Sequence, residues 1–189
     1  MRFVSPSTAL LLVSSLSVAA VSLAACDQPK WREKPAETPD AATAPATAPA
    51  PVRQIPSDPA GVPAAPEWAA AVMGKTVRDA YPKTGLCKGN TDIVQKTYAG
   101  QPAGVQIHGW GWDTAKKARV ERIVLVDKTF KIVGAGKGGV KRPDVTTAVP
   151  EITDPNSGWN ADAPVTAGPL DAYGVLDDGS ICVLGHIEF

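Results

Sequence analysis

The sequence has no excess of charge of either sign, because 19 Lys and Arg side chains balance 19 Asp and Glu side chains among 189 residues. No basic face stands out, so we expect no nucleic-acid partner. Histidine is nearly absent: His108 and His186 are the only two, and neither lies at metal-ligand spacing from a cysteine. We therefore expect no metal and no other cofactor.

Patterns typical of enzymes are also missing. No Gly-x-Ser-x-Gly segment presents a nucleophile. The segment Gly134–Gly139 matches G-x-G-x-x-G, but Pro143 follows it where a dinucleotide-binding loop would open a helix. We predict that its glycines permit a bulge or turn. The candidate acids lie in turn contexts, where Asp is expected for backbone reasons, so we expect a non-catalytic protein.

Long apolar runs are confined to the amino terminus. A run after Arg2 is interrupted by serines and is shorter than the roughly 20 residues that span a membrane; it predicts a signal peptide over residues 1–25. It ends in Leu23-Ala-Ala-Cys26, which resembles the lipobox of bacterial lipoproteins. The resemblance implies a diacylglycerol on the sulfur of Cys26, cleavage before that residue and acylation of the new amino terminus, for example with palmitate. A plain signal peptide that leaves Cys26 free is the alternative.

A lipid on Cys26 would fix the location of the protein. Each buried methylene contributes about 0.8 kcal/mol, and two chains give stable anchoring. We therefore expect attachment to a membrane of the bacterial cell envelope, with the domain in the periplasm or elsewhere on the extracytoplasmic side. Asp27 resembles an inner-membrane retention signal of enteric bacteria, but other bacteria read this position differently, so the choice of membrane stays open.

Residues 26–66 are poor in large apolar side chains and carry a proline every few residues. Proline removes backbone donors and interrupts helices, and such a segment cannot offset its ordering entropy. We predict a disordered, extended tether that serves either as a spacer or as a neutral linker.

Residues 67–189 have the pattern of a β-rich domain. Glu67–Tyr81 predicts one short helix, although Gly74 weakens it. Arg122–Asp127 predicts a buried central strand that a tight turn joins to Lys131–Gly134, and Asp177-Asp-Gly179 predicts a second hairpin. Counting such segments, we predict an antiparallel β-sandwich of six to seven strands.

Residues 104–113 predict a strand that is rich in tryptophan. Val105 and Ile107 lie on one face and Trp110 and Trp112 on the other, and we predict a β-bulge at Gly109, where the apolar residues change face.

Cys87 and Cys182 are the cysteines that remain beyond Cys26. An exported chain meets oxidising conditions, so we expect a disulfide between them. A metal site or a nucleophile is the alternative, but neither histidine lies near them at ligand spacing.

Seven short motifs in residues 87–184 together resemble a β-sandwich accessory domain found at the carboxyl end of bacterial envelope and membrane proteins. The resemblance implies the fold and, in some relatives, an association with glycan handling; it implies no particular activity. The residues that carry it are Cys87, Gly89 and Asp92; Gly109, Trp110 and Asp113; Val126-Asp127; Ile132-Val-Gly134; Arg142-Pro-Asp-Val145; Ser157-Gly-Trp159; and Asp178-Gly179 with Cys182.

We therefore expect a membrane-anchored protein with a non-catalytic binding domain, for example for glycan or peptidoglycan. Aromatic rings beside polar groups commonly hold sugars or peptides, and large aromatics equally often fill a core. We expect Trp110 in the core and leave both readings open for Trp112 and Trp159. The alternative function is a structural or accessory subunit that contacts an envelope protein. The candidate binding residues are Trp112, Trp159, His108, Asp113, Arg142 and Asp144.

Overall fold

The computed structural model describes residues 54–189. Within them the chain is mainly β, as predicted, with nine strands, two short α-helices and one 3-10 helix. The helices are the 3-10 turn Glu67–Ala69, α1 (Val77–Ala80) and α2 (Pro143–Ala148). The strands are β1 (Ser57–Asp58), β2 (Cys87–Tyr98), β3 (Gly104–Asp113), β4 (Ala118–Arg119), β5 (Arg122–Asp127), β6 (Ile132–Val140), β7 (Gly158–Ala163), β8 (Leu170–Val175) and β9 (Ile181–Ile187).

All nine strands belong to one mixed sheet. Eight of them follow the order β1-β2-β3-β7-β6-β5-β8-β9, and β4 pairs with β3 beside this path. The β1–β2 pair is parallel and the other pairs are antiparallel. The sheet is not closed, because no ladder joins its two ends within the described residues. The predicted sandwich of six to seven strands is therefore not confirmed.

β5 is the buried centre of one half of the sheet. Its residues Ile123–Val126 are fully buried, and it pairs with β6 on one side and β8 on the other, which confirms the predicted central strand. Asp127 holds the following turn by accepting hydrogen bonds from the N–H groups of Thr129 and Lys131. The glycine run predicted as a bulge or turn mostly continues β6; only Gly139, with φ of 92°, lies at a register shift.

One face of the coiled sheet encloses the main core. Alternate residues of each strand point inward, so β3 contributes Val105 and Ile107 while β7 contributes Trp159, Ala161 and Ala163. These side chains pack against buried residues of the other strands and of the segments that follow β4 and β8, namely Val120, Ile123, Leu125, Leu170, Ala172, Leu176, Cys182 and Leu184.

A disulfide joins β2 to β9, next to an isolated bridge through which the segment before β2 also contacts the start of β9. Cys87 on β2 is bonded to Cys182 on β9, with a Cα–Cα distance of 5.9 Å, which confirms the predicted pair. Beside it, β2 crosses β9 so closely that a Cβ on Gly89 would lie 3.1 Å from Cα of Leu184. The strands can cross here because Gly89 has no side chain.

Two smaller apolar clusters cover the outer face. Segment 67–81 packs on Val124, Val126 and Ile132, but it is not the continuous helix we predicted. Gly74, with φ of 77°, separates the 3-10 turn from α1, and left-handed φ is incompatible with a continuous α-helix. The other cluster packs Val145 of α2 and Ile152 on Trp112.

The folded part begins before the predicted boundary at residue 67. Ser57 and Asp58 form β1 and pair with Thr97 and Tyr98, and Val62 donates its N–H to the carbonyl of Pro102. The prediction of a disordered tether is therefore wrong for residues 57–62. The predicted signal peptide, the lipidated Cys26 and the first part of the tether lie outside the described residues.

The bulge predicted at Gly109 is also wrong. β3 pairs with β7 in unbroken register from Val105 to Trp110, and its side chains alternate regularly between the two faces. The register shifts lie instead in the neighbouring strand β2, which has Asp92 and Gln95 as extra residues. An extra residue in one strand bends it and redirects side chains, which matters for Asp92 below.

We predict that the disulfide supplies a large share of stability. Because it closes a loop with a sequence separation of 95 residues, the double variant Cys87→Ala/Cys182→Ala should lose about 2 to 4 kcal/mol of unfolding free energy. Urea unfolding of the two proteins measures the difference. Reductant should cause a similar loss in the native protein and none in the variant; an unchanged unfolding midpoint in the variant would contradict this.

Candidate functional site

A connected group of polar side chains lies on the outer face of β3 and β7. Since Ile107 and Trp159 point into the core, His108 and Asn160 point outward, and the two are paired across the strands. Nδ1 of His108 lies 2.7 Å from Oδ1 of Asn160. Both side chains are partly exposed.

Arg142 reaches this face from the start of α2. The helix begins with Pro143, and its Val145 is buried against Trp112, which fixes the helix on the sheet. Gly158 on β7 lies beneath the arginine, and a Cβ there would be 2.6 Å from Cγ of Arg142. The methylene stem of Arg142 therefore lies across the sheet toward His108.

Two carboxylates hold the guanidinium. Nη1 of Arg142 donates to Oδ2 of Asp92 at 2.5 Å. On its other side, Nε and Nη2 donate to Asp144, with distances of 2.9 Å from Nε to Oδ1 and 2.6 Å from Nη2 to Oδ2. The bulge in β2 brings Asp92 opposite His108. We call His108, Asn160, Arg142, Asp92 and Asp144 the Arg142 cluster.

The contacts of His108 determine which ring nitrogen carries its proton. Nη1 of Arg142 lies 3.3 Å from Nε2 of His108. Guanidinium groups only donate hydrogen bonds, so Nε2 accepts and the proton is on Nδ1, where it is donated to Asn160.

Electrostatics favour the charged forms of the ion pairs. The hydrogen bond to Asp144, followed by that to Asp92, raises the pKa of Arg142 above its usual range. The hydrogen bond from Arg142 lowers the pKa of Asp144. Only 18% of the Arg142 side chain is exposed, against 62% for Asp144, so the cluster has an enclosed guanidinium and an exposed acidic rim.

The structure brings together three of the six predicted site residues, His108, Arg142 and Asp144. Asp113 lies elsewhere, at the end of β3, where it accepts hydrogen bonds from the N–H groups of Ala115 and Lys116 and stabilises a turn. Asp113 is therefore not part of the group that the other three form, and its binding role stays a prediction.

Trp110 differs from the expectation, and the two tryptophans whose role was left open are both buried. Trp159 is fully buried in the main core and Trp112 is 3% exposed beneath α2, so neither offers a ring face to a ligand. Trp110, which we expected in the core, is partly exposed next to His108 on the same face of β3. The regular alternation of β3 explains this, because Trp110 and His108 are two residues apart.

Asp92 and Asn160 belong to the Arg142 cluster but are not among the site residues predicted from the sequence. The signal for Asn160 is its place between Trp159 and Ala161 in a β-strand, which puts it on the face opposite to two core residues. The bulge that positions Asp92 left no comparable signal in the sequence.

Two shallow clefts of about 610 and 410 Å³ meet at the edge of Trp112. Both are lined by Lys117 and Thr153 and carry charges of both signs, which gives no preference for one class of ligand. Nowhere in residues 54–189 do three His, Cys, Asp or Glu side chains come together in a way that could hold a metal ion.

Comparisons of the chain with protein-family models, with curated proteins and with solved structures found no match. None of the helices in residues 54–189 has the length and apolar character needed to cross a membrane.

We predict that Arg142→Met lowers the free energy of unfolding by about 1 to 2 kcal/mol at neutral pH, since it leaves the partly buried Asp92 without its cation. The lowered pKa of Asp144 sets the pH dependence: its pairing stabilises the fold fully above 3.8, the usual value, and this part is lost as the pH falls through the lowered value.

Urea unfolding between pH 7 and pH 2 measures this dependence. Lys88→Met is a suitable control, because its ion pair with Glu151 is exposed at 52% and 48% and should contribute little. An Arg142→Met variant as stable as the control, or a stability difference that does not shrink in acid, would contradict the prediction.

Proposed function

We propose that this chain is a lipid-anchored protein of the bacterial cell envelope whose folded part is a non-catalytic binding module. The observation that carries the proposal is the Arg142 cluster beside the partly exposed ring of Trp110. Fixed donors and acceptors next to an aromatic face are suited to hydroxyl-rich ligands such as glycans, in which polar edges alternate with apolar faces.

The order of the cluster supports binding in preference to catalysis. The guanidinium N–H groups that face the two carboxylates are occupied, and His108 is held between Asn160 and Arg142. Side chains locked by one another lose little conformational entropy when a ligand arrives. Peptidoglycan fragments are the ligand class that the proposed location makes available.

Contact with an envelope protein is a second candidate function. Leu86 and Val183 are 78% and 63% exposed, and each neighbours one cysteine of the disulfide. Two exposed apolar side chains on rigid backbone are typical of a small protein contact. This surface lies on β9 and the start of β2, away from the Arg142 cluster.

We predict that the purified full chain binds soluble peptidoglycan disaccharide fragments and that Trp110→Ala weakens binding about five-fold, the effect of losing one aromatic contact of about 1 kcal/mol. Arg142→Lys, which keeps the charge but loses the planar fork, should weaken it similarly. Isothermal titration calorimetry measures both effects.

Trp68→Phe is the matched control, because Trp68 packs on the other outer cluster. Binding that Trp110→Ala leaves intact would exclude this face. Absence of saturable glycan binding, together with capture of an envelope protein that Leu86→Ser/Val183→Ser abolishes, would favour the second candidate.

The location is tested separately through Cys26, which lies outside the described residues. We predict that Cys26→Ser abolishes incorporation of a fatty-acid analogue and releases the protein from the membrane fraction, because the lipid is the proposed anchor. The double variant Cys87→Ala/Cys182→Ala should still be labelled. Label retained in Cys26→Ser would contradict the proposed lipidation.

A further inference from the structure

Asp162 on β7 differs from the other partly buried carboxylates of residues 54–189. Each of the others contacts a basic side chain, a histidine ring or a backbone N–H group. Asp162 accepts hydrogen bonds only from two neutral groups, the hydroxyl of Tyr98 at 2.7 Å and Nε2 of Gln106 at 3.0 Å. Both bonds end on Oδ1, so no donor within the described residues reaches Oδ2.

This carboxylate lines a cleft with otherwise apolar walls. Because Ala161 and Ala163 point into the core, the side chain of Asp162 points to the outer face. The cleft has a volume of about 310 Å³, and Asp162 is the one charged residue among those that line it, which include Val62, Met73, Pro102, Val133 and Pro164.

The basic side chain that contacts Tyr98 is already paired. The ammonium of Lys96 lies 4.6 Å from the ring centroid of Tyr98, but it is 2.9 Å from Asp58, to which it donates a hydrogen bond. The negative charge of Asp162 is therefore left without a cation of its own. A charge that borders apolar walls is less well solvated than one in open water, so a cationic ligand would gain both apolar contact and charge compensation here.

We propose that this cleft binds a primary alkylammonium group, with the ammonium on Oδ2 of Asp162 and the methylene stem against Val62, Met73 and Val133. A lysine side chain and a small free diamine both carry this chemistry. Guanidinium suits two free carboxylate oxygens, and Asp162 has one. A divalent cation needs several oxygen ligands, and Asp162 is the sole carboxylate in the cleft.

The inference goes beyond the proposed function, because it concerns a separate cleft and a different ligand class. The test is an NMR titration of the full chain with three probes: Nα-acetyl-lysine N-methylamide, its norleucine analogue without the amine, and cadaverine. We expect saturable shifts around the cleft with the lysine compound, and none with the norleucine compound. If cadaverine also saturates the site, the ammonium group and its methylene stem are sufficient for binding. If cadaverine has no effect, the site is assigned to lysine side chains.

Asp162→Asn should weaken binding at least ten-fold, since the amide oxygen can still accept from Tyr98 and Gln106 while the charge is lost. Asp171→Asn, a change of the same charge on β8, should leave binding unchanged. If Asp162→Asn does not fold, Ala64→Lys serves instead: it adds an ammonium at an exposed position of the cleft wall and should compete with the probe. Equal binding of the lysine and norleucine compounds, or binding that Asp162→Asn and Ala64→Lys leave unaffected, would overturn the proposal.

Discussion

The regular alternation of side chains along β3 is the constraint on which the rest of the structure depends. Val105 and Ile107 complete the main core, and the residues between and beyond them face outward as Gln106, His108, Trp110 and Trp112. A shift of one residue would exchange the two sets. Burial of the inward residues therefore places His108 and the partly exposed Trp110 on one surface.

The surface is ordered by elements that are distant in sequence. Arg142 reaches the sheet because α2 is held on Trp112 and because Gly158 leaves room for the arginine stem. Asp92 meets it from a bulge in β2, and the disulfide from Cys87 to Cys182 fixes the start of that strand to the last one. Such mutual support keeps the partly buried guanidinium in one position, which favours a binding role because little order has to be created when a ligand arrives.

Much of the fold could be predicted from sequence, because local patterns determine it. The run at residues 122–127 identified the central strand, and the predicted export signal with two remaining cysteines identified the disulfide. The prediction of a continuous helix at 67–81 failed because Gly74, whose φ lies in the left-handed region, interrupts it. The site was predicted only in part: His108, Arg142 and Asp144 converge, whereas Trp112 and Trp159 are covered by packing that no local pattern reveals. The shared face of His108 and Trp110 follows from the regular alternation of β3 alone and needs no bulge at Gly109.

Trp110 is the tryptophan that a ligand would contact on the proposed surface. The indole N–H signals of the full chain in a ¹H–¹⁵N spectrum test this most directly, recorded with and without peptidoglycan disaccharide. We predict that the Trp110 signal, assigned by its loss in Trp110→Phe, shifts on addition of the sugar while the signal of the core residue Trp159 stays in place. A Trp110 signal that does not move at saturating sugar would contradict the account.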